Sequence, residues 1–343
     1  MTQKLSFADA IREALDLKMS QDSDVILMGE DVAGGAEVDH LQDDEAWGGV
    51  LGVTKGLVKK YGRNRVLDTP ISESALIGSA VSAASTGLRP VAELMFNDFM
   101  GVCFDQLLNQ GAKFRYMFGG KVKTPVTIRT THGAGFRAAA QHSQSLYSMF
   151  TFVPGLKVVV PSTPADAKGL LIAAIEDDDP VIFSEDKTLY NIKGEVPEGE
   201  YKIPLGKADI KRSGSDLTIV GIGKQVHTAL KAADELAKRG IEAEVVDPRS
   251  LSPLDSTTIL ESVEKTSRLV VVDESNPRCN VATDIAAMVA DQGFDFLDAP
   301  IKRVTAPHTP VPFSPTLEDL YLPSSEKIIA AVEEMVGETL TTA

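Results

Sequence analysis

Asp68-Thr69-Pro70-Ile71-Ser72-Glu73 stands between a short apolar pair, Val66-Leu67, and a run built largely of alanine, serine and glycine that begins at Ala75. Val66-Leu67 reads as a buried strand, which Pro70 prevents from continuing into a central ladder. Ser72 has the character of an N-cap. Glu73 falls at the first helical turn, where exposed amides and the helix dipole favour a carboxylate. The helix is expected from Ala75 to about Thr86, with Gly87 at its C-terminal cap and Pro90 preventing resumption. Gly78, Ser79, Ala80, Ser82, Ala83 and Ala84 bury little area themselves but let another helix come close. Glu73 therefore has two readings. It is either a helix-dipole carboxylate or a carboxylate at a strand end, in a close-packed subunit interface, facing a ligand.

Outward from this stretch the chain alternates apolar runs with helical patterns. Ser6 caps an expected helix over 7–15, and Val25-Ile26-Leu27-Met28 is a strand ending at Gly29-Glu30-Asp31. The Gly- and Asp-rich segment from Ala33 to Gly56, with the single tryptophan Trp47, reads as a long ordered loop. A strand over 90–96 leads into a helix expected over 98–116, and a strand over 126–131 opens into the loop His132 to Ser143. Strands over 158–160 and 180–183 flank a helix that Thr163-Pro164-Ala165-Asp166 starts. Residues 191–204 lack apolar periodicity and read as a linker. The alternation then restarts with strands over 217–220, 243–247 and 269–273. Continuous Val/Ile-rich strands separated by helices indicate mostly parallel sheets covered on both faces. The expected fold is thus α/β with two tandem domains, 1–190 and 205–343, joined by a linker at 191–204.

The chain has 343 residues, enough for two ordinary domains, and at 43% hydrophobic residues it can fill two cores. No apolar run reaches the length of a membrane span, and the N-terminus lacks the pattern of a signal peptide, so a cytoplasmic location is expected. Cys103 and Cys279 are far apart and suggest neither a disulfide framework nor a zinc site. A net charge of −15 argues against nucleic acid and anionic membranes as partners.

The candidate chemistry gathers at strand ends of the first domain: Glu30, Asp31, Glu73, His132 and His142. Carboxylates and imidazoles converging at the carboxyl edge of a parallel sheet suggest proton transfer, although a loop histidine such as His142 also commonly caps a turn. No Walker loop, Gly-x-Gly-x-x-Gly fingerprint, Gly-Asp-Gly segment or Gly-x-Ser-x-Gly elbow is present. Acid/base groups without a phosphate cradle fit half of a site completed by another subunit.

Five segments taken together carry a resemblance over essentially the whole length. They are Met28-Gly29-Glu30-Asp31-Val32, Asp68 to Glu73, Gly87-Leu88-Arg89-Pro90, Ala139-Ala140-Gln141-His142-Ser143-Gln144 and Pro154-Gly155-Leu156-Lys157-Val158-Val159. The chain resembles the β subunits of the thiamin-diphosphate-dependent E1 components of 2-oxo acid dehydrogenase complexes, which are transketolase-like. The loop from Ala33 to Gly56, Glu93 to Phe99 and Ala306 to Pro315 are most similar to the acetoin dehydrogenase branch.

This resemblance implies an aminopyrimidine-binding domain followed by a transketolase C-terminal-like domain. It implies that Glu73 hydrogen-bonds N1′ of the cofactor and favours its 4′-imino tautomer, that Phe99 stacks on the aminopyrimidine, and that Met95 lines the pocket. Glu30 would belong to an acidic path between paired sites, and His142 would face the substrate and the lipoyl arm. Magnesium and diphosphate ligands would come from an α subunit. A structural potassium ion is implied at carbonyls near Val126, Ala174, Ile175, Asp177 and Asp179. The partners implied are an E1 α subunit in an α/β heterotetramer and an E2 lipoyl acyltransferase, with acetoin as substrate; pyruvate is the alternative substrate. A non-catalytic scaffold subunit that docks E2 is the reading from another class, and the second domain, which shows no acid/base cluster in the sequence, suits it best.

Overall fold

The computed structural model describes residues 1–34 and 46–341, with side chains to residue 337. The part of the Ala33–Gly56 loop between residues 35 and 45, which carries much of the acetoin-branch likeness, lies outside the described residues. The chain forms two compact units. The first comprises 1–132 and 150–205; the second comprises 133–149 and 206–343. Residues 133–149, expected as a loop of the first domain, therefore pack with the second unit.

In chain order the elements are β1 (Thr2–Ser6), α1 (Phe7–Gln21), β2 (Val25–Gly29), α2 (Leu57–Tyr61), β3 (Val66–Asp68), α3 (Glu73–Ser85), β4 (Arg89–Phe96), α4 (Met100–Asp105), α5 (Phe114–Met117), β5 (Thr127–His132), α6 (Tyr147–Thr151), β6 (Lys157–Val159), α7 (Pro164–Glu176), β7 (Val181–Asp186) and β8 (Lys193–Pro197). Then follow β9 (Asp209–Arg212), β10 (Leu217–Gly221), α8 (Gln225–Ala237), β11 (Ala243–Asp247), β12 (Ser250–Ser252), α9 (Ser256–Thr266), β13 (Leu269–Asp273), α10 (Val281–Gln292), β14 (Lys302–Thr305), α11 (Pro315–Tyr321) and α12 (Ser325–Thr341).

In the first unit the parallel strands run in the order β6-β7-β5-β4-β2-β3. Their carboxyl ends share one edge, which brings together the residues after β2, β3, β4 and β5. Helix α1 starts at Ser6, whose hydroxyl accepts the Asp9 amide at 3.1 Å, and buries Phe7, Ala10, Ile11, Ala14 and Leu15. Helix α7 is capped by Thr163, with Pro164 in its first turn. Both contribute to one apolar core together with Leu27, Val91 and Phe183 of the sheet.

Two expectations fail here. The helix expected over 98–116 is broken into a 3₁₀ turn (Asn97–Phe99), α4, a π-helical turn (Gln106–Gly111) and α5. The expected linker contains β8, which pairs antiparallel with β1. Neither short strand has enough alternation to be read locally; each is a strand because the other is present.

In the second unit the strand order is β14-β13-β10-β11-β9, parallel except for β9. Every residue of β10, β11 and β13 is buried, as expected of a parallel sheet covered on both faces. Its core joins these strands to α8 and α12 through Val226, Leu236, Ile328 and Met335. No helix among the described residues is long and apolar enough to cross a membrane.

Candidate active site

Glu73 opens α3 as its first residue, in the turn where the sequence places it. Ser72 precedes the helix but makes no side-chain cap hydrogen bond, so the expected cap is positional only. The neighbouring Ser74 hydroxyl donates to the Val102 carbonyl and ties the helix start to α4. Cys103 on α4 lies within the field of Glu73. Burial first, and then the Glu73 charge, push its thiol up to about 12, so it is an inert thiol. Cys103 in turn approaches the Phe99 carbonyl, Sγ to O 3.9 Å. Phe99 is partly exposed and stands edge-on to Phe96, with ring centroids 5.5 Å apart. Met95 is 8% exposed, and its carbonyl accepts the Thr131 hydroxyl at 2.6 Å. Between them Asn97 is fully buried with neither amide atom hydrogen-bonded.

Behind this group the carboxylates form a continuous set. Glu30 follows β2, and its pKa is raised by burial first, then by the charges of Asp31 and Glu73. Gly29 pairs with Glu93 across the sheet, and Glu93 pairs with Arg129. A Cβ on Gly29 would lie 2.9 Å from Glu93 Cβ, so only glycine lets Glu93 stand against β2. Arg129 Nη1 donates to Glu93 at 2.7 Å, while its Nε and Nη2 donate to Glu185 at 2.8 and 2.9 Å. The Tyr190 hydroxyl donates to Glu185 at 2.6 Å. Burial raises the Glu93 pKa against the opposing pull of Arg129. Burial disfavours the Arg129 cation, yet Glu185 and Glu93 hold its pKa well above the ordinary arginine value. Glu93, Met95, Arg129 and Glu185 line one small cavity with Gly48 and Gly49. The sequence reading missed this network. Its signal was a charged residue inside two runs that otherwise read as buried strands, Glu93 and Arg129; Glu185 lies beyond the strand expected over 180–183, which the structure extends to Asp186.

The histidines separate. His132 ends β5, is 3% exposed, and has Nδ1 2.8 Å from the Ser184 hydroxyl. His142 is partly exposed, in the segment that belongs to the second unit, and its amide donates to the Ala139 carbonyl at 3.4 Å. Glu73, Glu30, Met95 and Phe99 thus lie in the first unit and His142 in the second.

Of the carbonyls expected to hold potassium, four already accept a hydrogen bond. Arg89 Nη1 donates to the Ile175 and Asp177 carbonyls, both at 3.1 Å. The Ala174 carbonyl accepts the Asp177 amide at 3.2 Å, and that of Val126 accepts the Val181 amide at 3.0 Å. Lys157 Nζ lies 2.7 Å from Asp177 and Arg115 lies 2.8 Å from Asp179. The Asp177–Asp179 run is therefore paired rather than merely solvated. A guanidinium and an ammonium already supply positive charge here, which disfavours a cation at the Ile175 and Asp177 carbonyls as they are arranged. Among the described residues, no group of His, Cys, Asp and Glu side chains is arranged to hold a metal.

The second domain, which shows no acid/base cluster in the sequence, nonetheless carries buried carboxylates. Asp273, Glu274 and Glu318 are buried there and bind the segment that carries His142.

Comparison with known proteins agrees with this architecture. Residues 3–193 match the transketolase pyrimidine-binding domain and residues 206–328 the transketolase C-terminal domain. The β subunit of acetoin:2,6-dichlorophenolindophenol oxidoreductase from Bacillus subtilis is 71% identical, over 98% of this chain and 99% of that protein. The corresponding subunit from Cupriavidus necator is 65% identical over 97% and 98%. The pyruvate dehydrogenase E1 β subunit of B. subtilis is 44% identical over 97% and 99%. Among solved structures, a split-gene transketolase crystallised as an inactive β4 tetramer superposes with a TM-score of 0.77 at 22% identity, covering 97% of this chain and 98% of that one, and shares the fold. The chain belongs to the family of transketolase-like β subunits that includes the acetoin:2,6-dichlorophenolindophenol oxidoreductases and the pyruvate dehydrogenase E1 components.

Proposed function

We propose that this chain is the β subunit of an acetoin dehydrogenase E1 component. With an α subunit it cleaves acetoin to acetaldehyde and passes the acetyl unit to a lipoyl group on E2. The observation that carries the choice of substrate is the gap in identity, 71% and 65% to the two acetoin-oxidoreductase β subunits against 44% to the B. subtilis pyruvate dehydrogenase subunit. An α/β heterotetramer, an E2 lipoyl acyltransferase as acceptor, a cytoplasmic setting and a domain boundary within 191–204 are parts of the same proposal.

Thiamin diphosphate, when bound, supplies the carbanion chemistry that breaks the carbon–carbon bond. The residues present fit its aminopyrimidine: a carboxylate at a helix start, the partly exposed Phe99 ring, apolar Met95 and the unpartnered Asn97 amide. In this proposal Glu73 holds a proton at the ring nitrogen N1′, and Phe99 and Met95 orient the ring. Glu30, whose pKa is raised by burial first and then by the charges of Asp31 and Glu73, is the proton reserve beside Glu73 in this proposal. His142 acts as acid/base or electrostatic stabiliser towards the substrate and the lipoyl arm. The ligands for magnesium and diphosphate come from the α subunit. Potassium is left out of the proposal, because Arg89 already donates to two of the carbonyls that would receive it, those of Ile175 and Asp177.

The test is co-expression with an α subunit and 2,6-dichlorophenolindophenol reduction with acetoin and with pyruvate. Acetoin is expected to be the better substrate by kcat/KM; a reversed preference refutes the substrate assignment. Glu73→Gln in the assembled enzyme is expected to slow hydrogen–deuterium exchange at the cofactor C2 by about 10²–10⁴-fold. Exchange at the wild-type rate would remove Glu73 from the site.

A further inference from the structure

The segment 133–149 is held by carboxylates of the second unit at both of its ends. At the first end the Ala134 amide donates to Glu274, while the Ala134 carbonyl accepts Lys224 Nζ at 3.2 Å. Lys224 lies 3.6 Å from the same glutamate, and Gln225 Nε2 donates to it at 3.2 Å. The next amide, Gly135, donates to Glu318 at 2.6 Å, and Arg137 Nη1 donates to the other oxygen of Glu318 at 2.7 Å. At the far end the Ser145 hydroxyl is 3.5 Å from Glu274, its carbonyl accepts the Ser275 hydroxyl at 2.9 Å, and the Tyr147 hydroxyl donates to Asp273. The Gly133 amide donates to the Gln144 carbonyl at 3.2 Å and closes the neck. His142 sits in the closed portion, beyond Arg137 and Ala139, whose φ values of 61° and 62° place non-glycine residues in the left-handed region.

Asp273 and Glu318 are fully buried and Glu274 is 4% exposed. Burying a carboxylate costs several kcal/mol unless hydrogen bonds and counter-charges offset it. Apolar residues would cover the same core at less cost, whereas two carboxylates, each aimed at one of two successive amides, fix the direction of the backbone. A strained loop persists only where its surroundings over-determine it. We propose that Glu274 and Glu318 are positioning residues for His142, so that the second domain holds the loop that carries the acid/base group. The proposal rests on the reading of His142 given above.

The experiment uses the assembled enzyme with its α subunit and the variants Glu318→Gln, Arg137→Ala, His142→Ala and Glu318→Gln/His142→Ala. The amide of Glu318→Gln keeps the volume but loses the charge that Gly135 and Arg137 share. Hydrogen–deuterium exchange of peptide 133–149 is expected to rise at least tenfold in Glu318→Gln, with peptide 217–247 unchanged. Acetoin-dependent kcat is expected to fall about 10–100-fold with KM little changed, since small misplacement of a reacting group has effects of this size. In the His142→Ala background the same substitution is expected to cost less than twofold.

Arg137→Ala is expected to act in the same direction and serves if Glu318→Gln does not fold. Unchanged exchange of 133–149 in both variants overturns the clamp. Faster exchange with losses that multiply in the double variant overturns its action through His142. Wild-type activity in His142→Ala refutes the reading of His142 itself, and with it the proposal, while the exchange data still report on the clamp.

Discussion

Replacing Arg129 by methionine isolates the electrostatic problem at the carboxyl edge of the first unit's sheet. The Arg129 side chain is 2% exposed and makes three charge-assisted hydrogen bonds, to Glu93 at 2.7 Å and to Glu185 at 2.8 and 2.9 Å. Methionine fills much of the space but leaves both carboxylates without a counter-charge. Removing one partner of a buried ion pair typically costs about 3–5 kcal/mol. For a unit of this size that corresponds to a fall in Tm of roughly 6–20 °C.

The sign of the pH dependence follows. Glu93 already has a raised pKa in the folded chain, and losing the arginine raises it further. A carboxyl whose folded pKa exceeds its unfolded value destabilises the fold as pH rises through that interval. This part of the penalty is absent below about pH 4, where both forms are protonated. Differential scanning calorimetry of the isolated chain between pH 4.5 and 8 measures it. The deficit of Arg129→Met is expected to shrink towards acid pH, and adding Glu93→Gln and Glu185→Gln is expected to restore at least half of it. A fall in Tm below about 2 °C at pH 7, or a deficit that grows on acidification, would refute the reasoning.

Glu30→Gln is expected to raise the Tm of the isolated chain at pH 7–8, because it removes a carboxylate held above its ordinary pKa by burial, Asp31 and Glu73; the gain should vanish near pH 4, and a loss at pH 8 would contradict the assignment. Gly78→Leu is expected to destabilise the isolated chain by about 1–3 kcal/mol, because a Cβ there already stands 3.0 Å from Gln106 Oε1. Ser79→Leu, on the exposed face of α3, is expected to leave Tm almost unchanged and to weaken assembly with the α subunit, read by sedimentation velocity; unaltered oligomers would remove the interface reading. His142→Ala is expected to leave Tm within about 2 °C and to slow acetyl transfer to E2 more than dye reduction, and equal losses in both assays would make His142 a general substrate-site residue.

Local chemistry made the first domain's carboxyl edge readable. Pro70 ends β3, Glu73 opens α3, and Glu30 follows a run of four apolar residues, so each position follows from its neighbours. The alternation of strands and helices likewise predicts two parallel sheets. What stayed hidden depends on distant partners. The strands β1 and β8 exist only as a pair, and the helix expected over 98–116 is interrupted by a π-helical turn that no composition marks. Gly78 does lie against another helical turn, but one of its own chain, where it makes room for Gln106. Glu274 and Glu318 carry no signal in the sequence, because the amides of Ala134 and Gly135 that they accept lie more than a hundred positions earlier in the chain.

The second unit is assembled from two separate stretches, 133–149 and 206–343, and this dictates an order of events during synthesis. At ribosomal speeds of about 5–20 residues per second, the partners of Ala134 and Gly135 emerge roughly seven to forty seconds after those amides. Throughout that interval the nascent segment cannot reach its final conformation, whatever the strands around it have done. The last step in ordering it awaits α11, close to the end of translation. A chain severed within 191–204 would yield a C-terminal piece in which Asp273, Glu274 and Glu318 each lose the donors that 133–149 supplies, Glu318 both its Gly135 and its Arg137 donor. Supplying 133–149 as a separate peptide should therefore rescue the solubility of that piece, as a missing strand rescues an incomplete sheet.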